Sequence, residues 1–518
     1  MITFCTKCGN KNLNGAAKFC SKCGASFNTD TSKNLDLLNK NISEISETLF
    51  IVPQYFINDF EILLKKYDVR PKGILAINNP NESYLIVTQF MRNTKNVSYI
   101  CIIGSWAEIP PYKIPNPTDS DQDKFCFNDS LYGSISENKN DVFASIPDVL
   151  VGRVPYTKSS IVEKIIFNKH SLKSFTDSFL FSVTAQCWDE ASKKIFSNLI
   201  EEKPKDYNLS LQNDSLSNLS KGGFFNSPQW TEIDLKNFLG QRIKIENALI
   251  MFNVHGGADT PEWIGEGVTK NYVEIFKPNT IVDYNFSILL TEACYGGAMD
   301  YQEQSIVESF FENNGLCFIG SSTIAYGSPT EQICAADNIA KYFFENVNNG
   351  DCVGLALSKA KLEVLQESPI QSDISSKTAF SFNLYGPPWI KKETISSSEG
   401  ILNRLRNTKR NKLKSNSIFL SDIREKYREK IPKKIRQFLI DNDKIIDQLH
   451  QFRDYNQINL IVEKYGFNLS KSKIKYIENS QSKGYEIKLS EKYYKNTDKN
   501  LLIFTDIDGN VLNVLISK

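Results

Sequence analysis

The sequence predicts an α/β protein built on a mostly parallel sheet with helices on its faces. From about residue 49 to residue 392, short apolar runs alternate with amphipathic stretches, which is typical of α/β folds. Several of these runs are apolar at successive positions, as strands covered by helices on both faces must be. The intervening stretches carry apolar residues three and four positions apart, which predicts helices.

The individual elements follow from the same two periodicities. The predicted strands cover residues 83–88, 99–104, 149–154, 179–185, 248–254, 286–291, 316–321 and 380–384. The predicted helices cover residues 159–167, 192–200, 305–313, 332–346 and 353–366. Near the end of the chain, 500–505 and 511–516 flank an Asp-Gly pair, which predicts a β-hairpin.

Changes in composition divide the 518 residues into several units, since one domain usually spans about 100–200 residues. We expect a Cys-rich unit at 1–27, a polar linker at 28–48, and the α/β domain at 49–392, with subdomains at about 49–190 and 191–392. A basic helical arm at 393–450 and a small α+β domain at 451–518 follow.

Composition narrows the classes of function. The net charge is +1, so no chain-wide field favours nucleic acid or membrane. The sequence starts without the basic segment and apolar stretch of a secretory signal, and no run approaches the about 20 apolar residues that span a bilayer. We therefore expect a cytoplasmic protein with no membrane partner, whose cysteines stay reduced.

Two Cys-x-x-Cys pairs, each followed by glycine, mark the first 27 residues. A two-residue gap lets both thiolates of a turn bind one tetrahedral ion, so the sequence predicts a zinc ribbon with one structural Zn²⁺. Its ligands are Cys5, Cys8, Cys20 and Cys23. Four protein ligands leave no open position, and we expect no metal in catalysis.

His255 and Cys294 carry the predicted chemistry. Each directly follows a predicted buried strand, and each is followed within two residues by glycines. Open α/β sheets keep their active sites at this edge, where an imidazole can take the proton of a thiol. Backbone amides near Gly256 and Cys294 are the candidate oxyanion hole. Taken alone, each of these residues is more often structural.

The motifs around these two residues resemble those of caspase-like cysteine peptidases. Val254-His-Gly-Gly and Thr291-Glu-Ala-Cys-Tyr-Gly-Gly-Ala-Met are similar to their His-Gly and Ala-Cys-x-x-Gly motifs, and the second also resembles a segment of legumains. The overall similarity is greatest to the gingipain family (peptidase family C25). It extends through 99–105, 128–133, 147–155, 320–324 and 382–386, in consistent order over roughly 80–392.

This resemblance implies a caspase-like fold in two subdomains, with His255 as general base or imidazolium partner and Cys294 as nucleophile. The chain departs from the gingipain pattern at Gly386-Pro387-Pro388. Where gingipains carry a carboxylate that orients the histidine, this chain offers Gln186, then Asp189 and Glu190. The third residue is left open.

The expected specificity is for a basic residue before the scissile bond. Glu292 lies two residues before Cys294, on the same face of its strand, where a carboxylate favours Arg or Lys. In the resemblance, Asp189 matches the acid that binds a basic residue, and Tyr326 is a candidate pocket wall. Asp189 and Glu190 also fit a solvated helix start.

The sequence therefore predicts an intracellular endopeptidase that acts on protein substrates and is regulated by a partner or by self-cleavage. The basic stretch around Arg404, Arg406, Lys409 and Arg410 is the candidate cleavage site. One alternative is a catalytically silent caspase-like scaffold. Another is an adaptor that binds a protein or a nucleic acid through the zinc ribbon and the basic arm.

Overall fold

The computed structural model describes residues 3–4, 11–12, 44–94, 96–167, 180–196, 222–227, 248–267, 271–280, 284, 287–367, 372–391, 435–439, 449–479, 482–492 and 498–518. The strands in these residues are β1 (Thr3–Phe4), β2 (Lys11–Asn12), β3 (Thr48–Pro53), β4 (Gly73–Ile77), β5 (Tyr99–Ile103), β6 (Tyr112–Pro115), β7 (Phe125–Asn128), β8 (Leu150–Val154), β9 (Leu180–Ala185), β10 (Gly222–Ser227), β11 (Leu249–Asn253), β12 (Trp263–Glu266), β13 (Tyr272–Phe276), β14 (Ile288–Thr291), β15 (Cys317–Ser321), β16 (Tyr326–Gly327), β17 (Phe382–Tyr385), β18 (Ile435–Leu439), β19 (Lys473–Asn479), β20 (Lys483–Lys492), β21 (Asp498–Asp506) and β22 (Val511–Ser517).

The α-helices of the described residues lie mostly between the strands of the large sheet. They are α1 (Ile57–Lys66), α2 (Ser83–Asn93), α3 (Ser159–Ile166), α4 (Asp189–Phe196), α5 (Ile306–Glu312), α6 (Ala336–Asn348), α7 (Val353–Val364), α8 (Ser372–Ser381) and α9 (Tyr455–Lys464). Helix α5 begins with a capping box, in which Ser305 and Glu308 bind each other's backbone amides.

A ten-stranded sheet organises the α/β region, in the order β10-β9-β11-β14-β15-β17-β8-β5-β3-β4. The only antiparallel neighbours in this sheet, as described, are β15 and β17. They divide it into two parallel halves: the first contains β17, β8, β5, β3 and β4, and the second contains β10, β9, β11, β14 and β15. Strand β9 pairs with β11 in the second half, and β17, which comes late in the sequence, pairs with β8 in the first half. The predicted α/β fold with a mostly parallel sheet is confirmed.

The central strands are buried along their whole length, which explains their unbroken apolar runs. Every residue of β5, β8, β11, β14 and β15 is buried. Helices cover both faces, so these strands have no solvent side on which polar residues would alternate.

One predicted strand is wrong. Residues 83–88 belong to helix α2, which follows a turn that begins at Pro80 and is capped by Asn79. Within α2 only Ser83 and Val87 are buried, while Leu85 is 56% exposed. The apolar run therefore extends around a helix of which only one side packs on the sheet. The strands β3 and β4 on the same side of the sheet were not predicted.

The C-terminal residues form a second, antiparallel sheet in the order β16-β22-β21-β20-β19-β18. The predicted hairpin is confirmed as β21 and β22, and Gly509 in its turn has a φ of +80°. The first strand of this sheet, β16, comes from the α/β region directly after β15. The two sheets are therefore joined at the segment 322–327. In the described part of the chain, no helix combines the length and apolar character that a bilayer crossing requires.

Candidate active site

Two neighbouring parallel strands, β11 and β14, end at the same level. Phe252 on β11 pairs with Thr291 on β14, and these residues are 39 positions apart (291 − 252). His255 and Cys294 are also 39 positions apart (294 − 255). Continuing the register by three residues therefore brings His255 and Cys294 to the same carboxyl edge of the sheet, where the sequence predicts them.

The segments beyond these two strands are packed against each other. A Cβ atom on Gly256 would lie 2.1 Å from the carbonyl oxygen of Cys294, so only glycine allows this approach. The hydroxyl of Tyr301 lies 3.0 Å from the carbonyl oxygen of Gly257 and 3.1 Å from that of Tyr295. The glycines after the histidine thus bring its loop onto the backbone that carries the cysteine.

His255 is fully buried and is oriented by a carboxylate. Its Nε2 lies 2.7 Å from Oε2 of Glu266, the last residue of β12. The backbone of His255 exchanges two 2.9 Å hydrogen bonds with Ile264 on the same strand. The ring of Trp188 packs 4.5 Å from the imidazole, centroid to centroid. The hairpin that follows the histidine therefore folds back and fixes the imidazole ring.

Glu266 is itself held in place by a lysine of the C-terminal sheet. Lys499 on β21 places its Nζ 2.7 Å from Oε1 and 2.6 Å from Oε2 of Glu266. Tyr272 donates a further hydrogen bond of 3.2 Å to Oε1. Burial alone would raise the pKa of Glu266, but the contacts with His255 and Lys499 outweigh it, and this pKa is lowered. The carboxylate is therefore ionised and can stabilise an imidazolium.

The protonation states of His255 and Cys294 are governed by burial. Burial lowers the pKa of His255, against the opposing effect of Glu266. Burial raises the pKa of the Cys294 thiol to about 12, although the amide of Ala325 partly counteracts this. In this arrangement a neutral imidazole and a neutral thiol are favoured at neutral pH.

The backbone amide of Cys294 donates a 2.8 Å hydrogen bond to the carbonyl oxygen of Lys518, the last residue of the sequence. The amide of Ala325 approaches the Cys294 sulfur at 3.4 Å. The amide of Lys518 in turn donates a 3.0 Å hydrogen bond to the carbonyl of Ala325. Lys518 therefore lies directly on the cysteine, and its backbone oxygen accepts a hydrogen bond from one of the two predicted oxyanion-hole donors, the amide of Cys294.

A closed acidic pocket beside Cys294 holds the side chain of Lys518. Its ammonium contacts Oε2 of Glu292 and lies 2.6 Å from Oδ1 of Asp337, and all three side chains are fully buried. The ammonium also lies 5.4 Å from the centroid of the Trp188 ring. Burial and the neighbouring Asp337 carboxylate raise the pKa of Glu292, while Lys518 opposes this. The pocket carries two carboxyl groups for one cation, which suits a basic side chain.

The arrangement of cysteine, histidine and carboxylate can be compared with known proteins. The chain matches peptidase family C25 over residues 77–392, which is 316 of its 518 residues (392 − 77 + 1). The chain belongs to peptidase family C25. It is therefore a cysteine-type peptidase, and its large helix-covered sheet is the caspase-like α/β fold that the resemblance implied.

A similar solved structure, described as "Structure of Protease", has a TM-score of 0.44 and 9% sequence identity to this C25 peptidase. The match covers 91% of this chain and 97% of the other. No curated protein matches the chain.

Tyr326 and Asp189 are the other predicted pocket residues of the C25 peptidase, and their contacts differ. Tyr326 is buried, belongs to β16, and pairs with Ser517 next to Lys518. Its hydroxyl donates to Oδ2 of Asp121 at 3.1 Å. Asp189 begins helix α4 and makes an ion pair with Lys193 at 2.8 Å. The ion pairs that Lys518 makes in the described residues are with other acids.

Two acidic residues at this site were not predicted. Glu266 lies in a short hairpin strand after the histidine, and Asp337 lies in the first turn of α6, 43 residues after Cys294 (337 − 294). The other oxygen of Asp337 accepts a 2.5 Å hydrogen bond from the amide of Ser328. Neither acid belongs to a recognisable motif, and only the fold brings them to the site. Residues Gln186, Asp189 and Glu190, which the sequence offered as partners of His255, lie in the turn after β9 and at the start of α4.

One group of described residues has donor atoms spaced for a metal ion. Ligand atoms of Cys187, His255 and Glu266 lie within 4.8 Å of one another. The ammonium of Lys499 already binds both oxygens of Glu266, so its positive charge opposes a cation there. A hydrogen-bonded cluster that orients His255 explains these contacts. The predicted zinc ligands Cys5, Cys8, Cys20 and Cys23 lie outside the described residues, as does the basic stretch 404–410.

Proposed function

We propose that this C25 peptidase is an endopeptidase that cleaves after a lysine or arginine, with Cys294 as nucleophile and His255 as its base. The observation that carries the proposal is the position of Lys518. Its side chain lies between Glu292 and Asp337 while its carbonyl oxygen accepts the amide hydrogen of Cys294. A substrate residue whose carbonyl carbon is to be attacked by Cys294 needs both contacts at once.

The acid–base roles follow from the contacts of His255. In the neutral ring, Nε2–H donates to the ionised Glu266, which assigns proton exchange with the thiol to Nδ1. The Cys294 thiol transfers its proton to Nδ1 as the sulfur attacks the substrate carbonyl. The resulting imidazolium is stabilised by Glu266, which stays ionised throughout.

The proposed reaction proceeds by acylation and deacylation of Cys294 and involves no change of oxidation state. Attack forms a C–S bond, and the carbonyl oxygen becomes an oxyanion that accepts the amide hydrogen of Cys294. Collapse breaks the peptide bond, and the imidazolium returns its proton to the leaving amine. A water molecule, deprotonated by His255, then hydrolyses the thioester and releases the acid. The amide of Gly256 is the proposed second donor to the oxyanion.

Specificity in this proposal comes from the two carboxyl groups of the pocket. A charge-assisted hydrogen bond contributes about 1.5–3 kcal/mol, and an uncharged side chain would leave both carboxyl groups buried without a cation. Lysine fits the pocket as the chain's own Lys518 fits it. Glu292 is the specificity residue that the sequence suggested, and Asp337 joins it.

The test is hydrolysis of single-residue amides, Nα-acylated lysine, arginine, norleucine and glutamine, by the full chain and by a variant that ends at Ser517. The variant is included because Lys518 fills the pocket in the intact chain. We expect kcat/KM for lysine to exceed that for norleucine by about 10–100-fold, the equivalent of one charge-assisted hydrogen bond. Norleucine matches lysine in length and lacks only the charge.

The nucleophile is tested by Cys294→Ala, which should lower the rate by more than about 1,000-fold. Cys317→Ala, at a buried thiol on β15, is the matched control and should keep the rate. Equal activity of Cys294→Ala, or equal rates for lysine and norleucine, would contradict the mechanism or the specificity, respectively.

The zinc ribbon remains part of the proposal as a structural unit. It is supported by the two Cys-x-x-Cys pairs within residues 1–27. Elemental analysis of the full chain should give one zinc per molecule, and Cys5→Ser should lower that ratio towards zero. Cys352→Ser, at a buried thiol of the α/β region, should leave it at one.

A further inference from the structure

The last strand of the chain lies in the cleft as an extended peptide. Strand β22 pairs antiparallel with β16, with Ser517 opposite Tyr326 and Ile516 opposite Gly327. The pairing continues past the strand, where the amide of Lys518 donates to the carbonyl of Ala325. Strand addition of this kind is a common way for proteins to bind extended peptides. Residues 516–518 therefore lie as a bound peptide would, ending at Cys294.

The lysine pocket is closed tightly around Lys518. A Cβ atom on Gly327 would lie 2.1 Å from its Cε, so glycine at this position leaves the space that the lysine stem occupies. Both the ammonium and its two carboxyl partners are fully buried. A lysine that served only to end a strand would be expected to stay in water, because burying an ammonium costs free energy unless a charged partner compensates the lost hydration. In this pocket two carboxyl groups, those of Glu292 and Asp337, provide that compensation.

The C-terminal sheet also contacts the other side of the active site. On the strand next to β22, Lys499 binds Glu266, the residue that orients His255. Apolar contacts continue across the cleft in one buried cluster, which joins Cys294, Ile324 and Tyr326 to Leu502, Phe504 and Leu515. At the far end, Lys475 forms an ion pair with Asp119 at 2.6 Å. The sheet is therefore attached to the peptidase by contacts additional to Lys518.

We propose that the C-terminal sheet is a built-in inhibitor of the peptidase, with β22 in the position of a substrate strand and Lys518 in the lysine pocket. The proposal rests on the proposed function, because it takes Glu292 and Asp337 as the substrate pocket. While Lys518 is in place, a substrate can reach neither the pocket nor the amide of Cys294. Tethering makes even a weak inhibitor effective, since a linked segment acts at an effective concentration in the millimolar range.

The protonation states agree with a latent enzyme. Burial raises the pKa of Cys294 to about 12 and lowers that of His255, and the C-terminal sheet contributes contacts to the same buried cluster as Cys294. Water that enters an opened cleft would reduce both effects, because desolvation is the first cause of each. A thiolate–imidazolium pair then becomes more accessible. Displacement of β22 would thus free the pocket and activate the nucleophile together.

The proposal is tested by the rate at which Nα-tosyl-lysine chloromethyl ketone alkylates Cys294, with the labelled cysteine identified by peptide mass spectrometry. We expect the variant that ends at Ser517 to react at least 10-fold faster than the intact chain. Lys518→Arg, which keeps the charge, should stay slow. Lys483→Ala removes an exposed lysine of the same sheet, 57% exposed and paired with Glu478, and should react like the intact chain.

A free lysine derivative added to the variant that ends at Ser517 should restore the inhibition. Millimolar Nα-acetyl-lysine should slow the labelling of the variant that ends at Ser517, and Nα-acetyl-norleucine should not. Equal labelling rates for the intact chain and this variant would overturn the inhibitor proposal and leave the peptidase assignment standing. If neither chain labels at Cys294 or hydrolyses any amide, the proposed function itself fails.

A measurement on the intact chain covers the case in which the shortened variant does not fold. If opening of the cleft limits the reaction, the labelling rate reaches a plateau as the probe concentration rises. That plateau should be the same for lysine and arginine chloromethyl ketones, since neither takes part in opening. A rate that stays proportional to probe concentration, or plateaus that differ between the probes, would overturn built-in inhibition.

Discussion

Two buried ion clusters of this protein look alike at first and differ in what holds their cation. In the first half of the large sheet, Arg153 is fully buried and makes two hydrogen bonds, of 2.7 and 2.6 Å, to Asp129. Its remaining nitrogen binds the carbonyls of Gly104 and Ser105 at 2.8 and 3.1 Å. One carboxylate and two carbonyls therefore accept four of the five N–H groups of the guanidinium, and all of them come from the same body.

At the active site, Lys518 meets two carboxyl groups, and the cation comes from a strand at the end of the chain. The pocket side offers two carboxyl groups to one ammonium, and burial together with the neighbouring Asp337 raises the pKa of Glu292. A cluster whose cation and acceptors come from one body is structural, whereas a pocket whose cation comes from a separate strand can exchange that cation for another. The comparison shows that a buried charge is not by itself evidence of a binding site. What distinguishes the two clusters is whether the cation and its acceptors come from the same part of the chain.

The largest effect is expected from a substitution that disrupts the Arg153–Asp129 cluster. Asp129→Ala leaves Arg153 as an uncompensated buried charge, and we expect the free energy of unfolding to fall by about 3–5 kcal/mol. Urea denaturation measures this. Lys66→Ala removes an exposed ion pair with Glu163 and should change it by less than about 1 kcal/mol. An equally small loss for Asp129→Ala would show that Arg153 does not depend on this carboxylate.

Lys361 sharpens the comparison, because it is a buried cation without an acidic partner in the described structure. Its ammonium binds the Ser130 hydroxyl at 3.2 Å, and burial lowers its pKa to about 7. Lysine in an unfolded chain has a pKa of about 10.4, so the unfolded state binds more protons between these values and stability rises with pH from 7 to about 10.

Lys361→Met should therefore stabilise the protein at pH 7, by about 1–4 kcal/mol, as replacement of buried charges by apolar side chains often does. It should also flatten the dependence of stability on pH in that window. Thermal unfolding between pH 7 and pH 10 measures both effects. A variant with the same rise of stability with pH as the parent would show that Lys361 stays charged when folded.

Substitutions in the proposed substrate pocket should change specificity more than stability. In the variant that ends at Ser517, Glu292→Gln should lower kcat/KM for the lysine amide by about 10–100-fold. The norleucine amide is the internal control and should lose little. Stability should stay within about 1 kcal/mol, because water can hydrate an empty pocket. A large loss of stability with unchanged specificity would place Glu292 with the structural cluster.

The smallest effect concerns Lys499, whose charge helps to lower the pKa of both Glu266 and His255. Lys499→Met removes a positive charge, so the pKa of His255 should rise. The base must be deprotonated to act, and the acidic limb of the pH profile of kcat/KM should move to higher pH, by about one unit or less. Lys483→Ala should leave the profile unchanged. A shift to lower pH would contradict the described electrostatics.

The sequence predicted those parts of the site that lie on continuous, fully buried strands. The runs before His255 and Cys294 form β11 and β14, and their equal spacing in sequence and register puts both residues at one edge. The same reasoning failed for residues 83–88, because a short continuous apolar run can belong to a helix or to a buried strand, and six residues do not distinguish the two. It also missed β3 and β4 on that side of the sheet.

What the sequence by itself determined was therefore the class of fold, and it supplied the two candidate reacting residues and the first acid of the candidate pocket, Glu292. Local periodicity and short motifs encode these features. The tertiary structure alone decided that Glu266 orients the histidine, that Asp337 completes the pocket, and that Lys518 fills it. These partners lie 11, 43 and 224 residues from the reacting residues they serve (266 − 255, 337 − 294 and 518 − 294). Hydrogen bonds and ion pairs act over a few ångströms in space, and no spacing in the sequence records which distant residues the folded chain brings within that range.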